Sequence, residues 1–479
     1  MLPETIRFGT SGVRGVTGKE ITIELARHIG WLYGRWKRLT YGAVPPNLTV
    51  AHDQRRGASA LAEAAARGLF AGGAGEVDLL GCVPTGVMCS HTAVGDYQGG
   101  VLVTGSHMPP NRIGVILIEY DGRYCEPAVN DEMARRYRLR RNEEIPTSRR
   151  DPRSLAYGQV IDGYQRGLEQ ALGQVGDAIR GRGFKILVDA GNGTAGPLAS
   201  HILTKSFGCQ VIPLNERPQE IPDRPSEVRA STCDEAIRLV GEMRCDLGVA
   251  YDGDADRVLF ITPEDGAVNE DVAGALFARH HLQPGQVCVT PVNSSPLINR
   301  ICREDGIHLR SCRIGQPDTG RAVVEYDASF FYEAAAKYGW SMLKMGDQPV
   351  LWYDSLLATL QMLGLMATTG KTAHELVSAL PRFYRQDVGI EHPGSPEKKQ
   401  AVVAWAANFL RDQLGSKILT ENTLDGFRFD LAGDFMVMTR ASGTEPKVRG
   451  YADGPDLARV QELAALGERA LREAIAATA

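Results

Sequence analysis

The stretch that decides the organisation of this chain is Leu247-Gly248-Val249-Ala250-Tyr251-Asp252-Gly253-Asp254-Ala255-Asp256-Arg257. Its first half is an apolar run typical of a buried strand, and its second half alternates three carboxylates with Gly and Ala. Three acids so close repel one another strongly unless a cation or local donors neutralise them. The small residues let the backbone curl so that the carboxylates converge, and hard oxygen ligands suit Mg²⁺. The pattern predicts a divalent-metal site, with an acidic surface turn as the alternative.

A calcium loop of the EF-hand type is excluded by the residues that follow Asp252. Arg257 stands where such a loop needs glycine, and Pro263 stands where it needs the closing glutamate. The purpose of the predicted metal must therefore be sought in the rest of the chain.

Length and composition indicate a multi-domain globular protein. The 479 residues suffice for about three to four domains, and 43% hydrophobic with 23% charged residues is an ordinary composition. The formal net charge of −5 gives no general attraction to nucleic acid or to anionic membranes, so neither is expected as a partner. Nine cysteines without a CxxC pair favour buried free thiols in a reducing compartment. No signal-peptide core and no membrane-spanning run are found, and the expected location is the cytoplasm.

Strand and helix patterns alternate along most of the chain, which predicts mixed α/β layers with mainly parallel strands. The predicted strands are 48–51, 77–80, 100–104, 184–189, 209–213, 286–290, 328–333 and 435–439. The predicted helices are 22–36, 59–70, 233–243, 271–280, 356–365, 397–412 and 455–477. The arginine-rich segment 135–153 is interpreted as a solvated helix face and a domain linker, because no aromatic stacking platform accompanies it.

Ser106 stands at the tip of a predicted strand, between Gly105 and the double proline 109–110. A hydroxyl in that position is exposed and conformationally fixed, which suits a nucleophile or a phosphate carrier. The adjacent His107 need not be its base, because neighbouring side chains generally diverge. An ordinary loop serine is the alternative.

Two further loops have the composition of anion-binding sites. Segment 7–15, Arg-Phe-Gly-Thr-Ser-Gly-Val-Arg-Gly, is predicted to be a small-residue loop with arginines at its flanks. Segment 440–449 offers two hydroxyls, a glycine N–H and three cations, a composition typical of a phosphate-binding loop. A structural turn is the alternative for each.

The segment Gly191-Asn192-Gly193-Thr194-Ala195-Gly196 follows a predicted strand and precedes a helix, so it matches the dinucleotide fingerprint. It is the best argument for a rival function, a nucleotide-dependent oxidoreductase. The following strand, however, ends in no clear ribose-binding acid apart from Glu216, and a tight strand-to-helix turn is the favoured interpretation.

Four separated loops together resemble one family, the α-D-phosphohexomutases (phosphoglucomutase and phosphomannomutase). The matching residues, in the family's order, are Gly9 to Gly15, Thr104 to His107 with the prolines that follow, Asp252 to Arg257, and Arg440 to Lys447. The resemblance implies four domains around a central cleft, three mixed α/β domains and a smaller C-terminal α+β domain. The expected domains are 1–153 with the phosphoserine loop, 154–262 with the metal loop, 263–380 with the sugar loop, and 381–479 with the phosphate loop.

The resemblance also implies a role for each loop. Ser106 would carry a phosphoryl group, and its oxygen would hold Mg²⁺ together with Asp252, Asp254 and Asp256. Arg14 and His107 would line the reacting phosphate, and Arg257 would offset charge on the transferred phosphoryl group. The expected substrate-binding residues are Glu333, Lys337, Arg440, Ser442, Gly443, Thr444, Lys447 and Arg449. The implied partners are a phosphosugar and its bisphosphate, and the implied assembly is a monomer or homodimer.

Three departures from the family pattern concern the chemistry and the sugar. Ile116 stands where the family commonly has a lysine proposed as general base. In the sugar loop, Ala335 replaces a polar residue and Ala336 replaces a glycine, while Lys337 stands where histidine is frequent. Ala441 replaces a motif proline. A site that has lost a polar contact discriminates less well between sugar epimers.

These departures leave several functions open. The first interpretation is a Mg²⁺-dependent phosphosugar mutase of the phosphoglucomutase/phosphomannomutase type with an unusual substrate or relaxed specificity. A phosphopentomutase or phosphoglucosamine mutase is the close alternative. A phosphohydrolase-like or catalytically impaired phosphosugar-binding protein is the alternative of another class, since both candidate proton-transfer residues differ.

Overall fold

A computed structural model describes residues 2–4, 6–9, 12–443 and 446–478 of the chain. The chain divides into two compact units, each made of two segments. The first unit comprises Met1–Asn269 and Ala335–Leu376, and the second comprises Glu270–Ala334 and Val377–Ala479. The domain boundaries and the central cleft expected from the sequence stay predictions.

The chain begins with a six-stranded sheet. Its elements are β1 (Val13–Val16), α1 (Ile23–Thr40), β2 (Leu48–His52), α2 (Ala58–Ala71), β3 (Val77–Cys82), α3 (Thr85–Val94), β4 (Gly99–Thr104), β5 (Arg112–Glu119), α4 (Pro127–Arg140) and β6 (Arg153–Ser154). The strand order is β1-β5-β4-β2-β3-β6, and β2 runs parallel to both β3 and β4. One expectation was wrong, because Val13–Val16 is not loop but a strand antiparallel to β5.

A second sheet in the same unit supports the acidic stretch. Its elements are α5 (Tyr157–Leu172), α6 (Gln174–Arg182), β7 (Lys185–Asp189), α7 (Gly196–Lys205), β8 (Gln210–Leu214), α8 (Asp234–Glu242), β9 (Leu247–Tyr251), β10 (Val258–Thr262) and β11 (Gly266–Ala267). The strand order is β11-β10-β9-β7-β8. Every residue of β9 is buried, as its uninterrupted apolar sequence predicts for a central strand.

Residues 270–334 open the second unit with a parallel sheet. The elements are α9 (Glu270–His281), β12 (Val287–Pro291), α10 (Pro296–Glu304), β13 (His308–Cys312), α11 (Gln316–Glu325) and β14 (Phe330–Glu333). Strand β12 runs parallel to both β13 and β14. This arrangement agrees with the predicted alternation of strand and helix.

The chain then returns to the first unit. This segment contains β15 (Lys337–Gly339), β16 (Lys344–Met345), β17 (Gln348–Pro349), α12 (Ser355–Thr369) and α13 (Ala373–Ser378). The buried Asp354 caps α12 by accepting the N–H of Leu357, and the hydroxyl of Tyr164 on α5 donates to the same carboxylate. The hydroxyls of Tyr251 on β9 and Thr359 on α12 lie 2.7 Å apart. These contacts fix α12 against the metal-loop sheet.

The C-terminal segment is an α+β domain of the second unit, as expected. Its elements are β18 (Tyr384–Glu391), α14 (Pro396–Leu414), a 3₁₀ turn (Gly415–Lys417), β19 (Ile418–Asn422), β20 (Phe427–Leu431), β21 (Phe435–Ala441), β22 (Lys447–Gly454) and α15 (Leu457–Thr478). The antiparallel order is β18-β22-β21-β20-β19, and α14 and α15 share a hydrophobic core with this sheet.

Two sequence predictions about the whole chain can be compared with the structure. All nine cysteines lie among the described residues and are free thiols, eight of them buried, which confirms that they form no disulfide framework. Within the described ranges, none of the helices combines the length and apolarity needed to traverse a bilayer.

Candidate active site

The acidic stretch forms a tight loop between antiparallel strands β9 and β10. Asp252 organises the loop, because its Oδ1 accepts the N–H groups of Asp256 and Arg257, each at 3.1 Å. Ala255 adopts a left-handed conformation with φ of 54°, which turns the chain sharply. One carboxylate oxygen from each of Asp252, Asp254 and Asp256 lies within 4.8 Å of the others. The predicted convergence of the three acids is therefore confirmed.

The donor set fits a divalent cation. All three carboxylates are buried, with exposures of 0%, 1% and 2%, and Oδ1 of both Asp254 and Asp256 lacks a hydrogen-bond partner among the described residues. Burial and the neighbouring acids raise the pKa of Asp252 well above its usual range and that of Asp254 to about 6. Buried carboxylate oxygens that accept no hydrogen bond raise the free energy of the folded state. A hard cation bound between these oxygens would compensate that cost. Asp252, Asp254 and Asp256 are the residues that could hold a metal.

The serine loop lies against this acidic loop. Ser106 is 3% exposed, so the expectation of an exposed hydroxyl was wrong, because the acidic loop packs against it. Its φ is 48°, and its Oγ donates to Oδ2 of Asp252 at 2.9 Å. Gly253 permits the approach, because a Cβ at that position would lie 2.8 Å from the carbonyl oxygen of Ser106. The structure thus brings together Ser106 and the three acids, which the sequence separates by more than a hundred residues.

Arg55 shapes the serine loop, and its role was missed at the sequence level. Its guanidinium donates to four backbone carbonyls, two through Nη1 at 2.6 and 2.8 Å and two through Nη2 at 2.6 and 2.7 Å. The four carbonyls belong to Pro109, Arg112, Ser106 and Met108. Only a planar guanidinium offers enough donors in a fixed fork for this. Its position in Asp53-Gln54-Arg55, directly after a strand, was the available signal.

Thr104 connects the serine loop to the acidic loop. Its Oγ1 lies 3.0 Å from Oδ2 of Asp53 and 2.8 Å from Oδ2 of Asp254, and it also accepts the N–H of Ser106 at 2.9 Å. One hydroxyl hydrogen serves only one carboxylate at a time, so Asp53 and Asp254 compete for it. Asp53 further accepts the N–H of Gly105 at 2.7 Å.

Positive charge surrounds the serine hydroxyl. The Nδ1 atom of His107 lies 3.3 Å from Oγ of Ser106, so these neighbouring side chains converge, contrary to the expectation that they diverge. Burial is the main cause that holds the pKa of His107 far below its usual range, reinforced by the charges of Arg257, Arg14, Lys337 and Arg55. A neutral imidazole surrounded by cations favours a bound anion.

Arg14 and Arg257 also contact or face the acidic loop. The Nε of Arg257 lies 3.7 Å from Oδ2 of Asp252 and 3.8 Å from Oδ1 of Asp256. Burial is the main factor that lowers the pKa of Arg14, and Asp254 and Asp256 oppose that shift. Both arginines thus lie near the acidic loop, and their roles at the reacting phosphate stay predictions.

Lys337 also lies at the acidic loop. Its Nζ is 2.6 Å from Oδ2 of Asp256, and its side chain is 5% exposed. The preceding Ala336 has φ of 60°, so the position where the family has glycine does adopt a left-handed conformation. The carbonyl of Ala336 accepts the N–H of Val258, which joins this segment to the exit of the metal loop.

The glycine-rich turn 191–196 is packed by protein and offers no open phosphate cradle. The N–H of Thr194 donates to the carbonyl of Gly253, and the N–H of Asn192 donates to that of Asn215. A Cβ on Gly193 would lie 2.7 Å from the oxygen of Gly253 and 3.0 Å from that of Asp252. The turn therefore supports the metal loop, and the dinucleotide interpretation has no geometric support.

Gly193→Ala is expected to displace the metal loop, because all three atoms nearest to the added methyl belong to backbone. We expect a loss of about 1–3 kcal/mol in the free energy of unfolding, the usual cost of overpacking. Gly158→Ala is the control, since its Cβ meets nothing within 4 Å on helix α5. That variant should unfold at the same or a higher denaturant concentration. Equal stability of the two variants would contradict the supporting role of the turn.

Two predicted site residues, Glu333 and Arg440, lie in the second unit, and each contacts another residue of that unit. Glu333, at the end of β14, is buried and accepts the hydroxyl of Thr319 at 3.2 Å. Arg440, at the end of β21, pairs with Asp425 at 3.2 Å. Glu333 stays a predicted sugar contact, and Arg440 stays a predicted phosphate contact.

The phosphate-loop candidate joins β21 to β22. Arg440 and Arg449 are direct cross-strand partners, and like charges opposite each other are unfavourable unless an anion compensates them. Ser442 is buried and its N–H donates to the carbonyl of Lys447, while Gly443 is exposed. Thr444, also predicted to bind phosphate, lies outside the described residues.

Lys399 on α14 is a support of this loop that sequence reasoning missed. Its buried Nζ donates to the carbonyl of Ser442 at 2.7 Å. Lys447, for its part, lies 3.3 Å from Oε1 of Glu391. A lysine in the first turn of a helix gave no local signal for such a contact.

Ile116 is a buried residue of the first sheet. It is 2% exposed on β5, opposite Leu102 of β4. Its Cγ1 would lie 2.8 Å from a Cβ on Gly12, which has φ of 83°. Ile116 therefore offers no proton-transfer group beside segment 7–15, and its correspondence to the family's lysine stays a prediction.

This combination of α/β sheets, acidic loop and buried serine is that of a phosphoryl-transfer protein, and comparisons with known proteins agree. Four family models match in order: domain I of phosphoglucomutase/phosphomannomutase at 5–143, domain II at 162–266, domain III at 269–384 and the C-terminal domain at 395–466. The chain belongs to the phosphoglucomutase/phosphomannomutase family, within the α-D-phosphohexomutase superfamily. Its four-domain α/β architecture is thereby confirmed, and it is an enzyme of the isomerase class.

Individual relatives carry different substrate names. The chain is 30% identical to a probable phosphoglucosamine mutase of Methanopyrus kandleri, over 95% of each chain. It is also 30% identical to a phosphopentomutase of Thermococcus kodakarensis, again over 95% of each. A crystal structure of a phosphoglucomutase/phosphomannomutase family protein from Burkholderia thailandensis matches with a TM-score of 0.83 and 24% identity, covering 99% of this chain and 98% of that one.

Proposed function

We propose that this enzyme is a Mg²⁺-dependent phosphosugar mutase that moves phosphate between C1 and the terminal hydroxyl through a phosphoserine at Ser106. The observation that carries the proposal is the 2.9 Å contact between Oγ of Ser106 and Oδ2 of Asp252, in a buried loop ringed by cations. A hydroxyl in this position can accept a phosphoryl group whose charge the surrounding cations offset.

The residues have distinct proposed roles. Asp252, Asp254 and Asp256, with the oxygen of phosphorylated Ser106, would hold Mg²⁺, which supplies charge stabilisation for phosphoryl transfer. His107, Arg14 and Arg257 would orient the phosphoryl group at the serine. In the second unit, Arg440, Ser442, Gly443, Thr444, Lys447 and Arg449 would bind the phosphate that does not react.

The sugar is proposed to be a hexose phosphate, with relaxed or unusual specificity. Glu333 retains a carboxylate that can accept a sugar hydroxyl, whereas the methyl group of Ala335 cannot hydrogen-bond. Loss of one polar contact lowers discrimination between epimers by the free energy of that contact. Phosphopentose and glucosamine phosphate are the alternatives, since relatives of about 30% identity bear those names.

A panel of substrates tests the proposal. The enzyme is incubated with Mg²⁺, a trace of the matching bisphosphate, and the 1-phosphates of glucose, mannose, glucosamine and ribose in turn. Appearance of the terminal phosphate ester supports the mutase, and the fastest substrate defines its specificity. Release of inorganic phosphate instead would favour a hydrolase, and binding without turnover would favour an impaired phosphosugar-binding protein, the outcome that Ile116 motivates.

A further inference from the structure

The ion pair between Lys337 and Asp256 connects a departure from the family pattern to the acidic loop. Lys337 Nζ lies 2.6 Å from Oδ2 of Asp256, and both side chains are buried, at 5% and 2% exposure. The ammonium also lies over the ring of Tyr353, with Nζ 5.6 Å from the ring centroid. A buried ammonium that contacts a carboxylate and the face of an aromatic ring is held in place by these partners, unlike the ammonium of a solvated surface lysine.

Among the described residues around Ser106, Lys337 is one of four cations that face four carboxyl groups. Four carboxylates and four cations influence one another there: Asp53, Asp252, Asp254, Asp256, Arg14, Arg55, Arg257 and Lys337. Without Lys337, buried Asp256 would lose the ammonium that pairs with it, and three cations would face the four carboxyl groups. A divalent cation would then be attracted more strongly, and the metal-free loop would be less stable.

We propose that Lys337 is a built-in counter-cation of the acidic loop, which stabilises the metal-free enzyme and weakens the binding of Mg²⁺. The inference rests on the proposed metal role of Asp252, Asp254 and Asp256. It assigns Lys337 a positioning role, because an ammonium in an ion pair has no lone pair with which to accept a proton. Lys337 therefore does not act in place of the general base that the family is expected to have at the position of Ile116.

The first test compares Lys337→Met with the parent enzyme, both as the full, dephosphorylated chain. In EDTA the variant should lose about 5 °C in melting temperature, because a buried carboxylate loses its partner. Calorimetric titration with Mg²⁺ should give a Kd about tenfold lower than that of the parent, since one repelling charge is gone. Lys344→Met, at an exposed position, should change neither value.

Equal destabilisation in EDTA and in saturating Mg²⁺, or weaker Mg²⁺ binding, would overturn the proposal, because both indicate a packing role alone. A charge-restoring pair gives a test without metal. Lys337→Met combined with Asp256→Asn returns the net charge of the loop to that of the parent, and should recover at least half of the melting-temperature loss in EDTA. Lys337→Met combined with Asp162→Asn, on an exposed residue, should recover none.

A recovered melting temperature in the Lys337→Met/Asp256→Asn double variant supports the counter-cation role. A double variant that recovers no stability overturns that role, even where Lys337→Met alone fails to fold. Since this cycle contains no metal, it also separates the two proposals. A parent enzyme that binds no Mg²⁺ in the calorimeter would overturn the metal assignment of the acidic loop, together with the affinity effect of Lys337.

Discussion

Ser106→Ala should lower the mutase rate by at least about 10⁴-fold, because the step that accepts the phosphoryl group loses its nucleophile. Among the described residues, the Oγ of Ser106 lies within hydrogen-bond distance of two side chains, at 2.9 Å from Asp252 and 3.3 Å from His107, so the fold should persist. The rate is measured with the best substrate of the panel, and far-ultraviolet circular dichroism reports the fold.

The control for this variant is Ser200→Ala on helix α7, whose hydroxyl has no hydrogen-bond partner within the described part of the chain. It should retain the full rate. A Ser106→Ala enzyme that kept more than about a tenth of the parent rate would be incompatible with covalent catalysis at this residue.

Asp254→Asn should remove most of the Mg²⁺-dependent rate, by about 10²–10³-fold, because one charged ligand is replaced by a neutral amide. The same substitution should not lower the stability of the metal-free enzyme. Burial and the neighbouring Asp256 raise the pKa of Asp254 to about 6, so its ionised form costs folding free energy above that pH. In EDTA at pH 7, the asparagine variant should therefore melt at the same or a higher temperature than the parent.

The raised pKa also gives a pH dependence with a definite sign. Folded Asp254 holds its proton up to about pH 6, whereas the unfolded residue releases it near the ordinary aspartate pKa of 3.8. Its contribution should make the metal-free enzyme more stable as the pH falls through 6, and Asp254→Asn should remove that contribution. Asp162→Asn, at an exposed site, should leave rate, stability and pH dependence unchanged. Loss of both rate and stability on Asp254→Asn would contradict the account.

Local sequence was sufficient for the parts of the site that a single segment builds. The apolar run before Asp252 predicted a buried strand, and the alternation of acids with Gly253 and Ala255 predicted their convergence. The prolines after Ser106 predicted a fixed hydroxyl at a strand tip. Each of these features depends on neighbours within about ten residues, whose geometry follows from period and turn chemistry.

The supports that act across the chain could not be predicted in this way. Arg55 donates to the carbonyls of a loop about fifty residues away, and Lys399 on helix α14 donates to the carbonyl of Ser442 in the loop between β21 and β22. The turn around Gly193 has the sequence pattern of a dinucleotide-binding turn. In the structure, the missing side chain of Gly193 instead leaves room for the carbonyl group of Gly253. A glycine pattern records that some group approaches closely, and only the tertiary fold decides whether that group is a phosphate or a neighbouring loop.

Location of the phosphate on the native enzyme tests the central claim most directly. The enzyme is incubated with the sugar bisphosphate, digested, and its peptides are sequenced by tandem mass spectrometry. We expect one phosphate per chain, on Ser106, and none on the Ser106→Ala enzyme treated in parallel. A phosphate found on another residue, or the same phosphate content in the Ser106→Ala enzyme, would contradict the central claim.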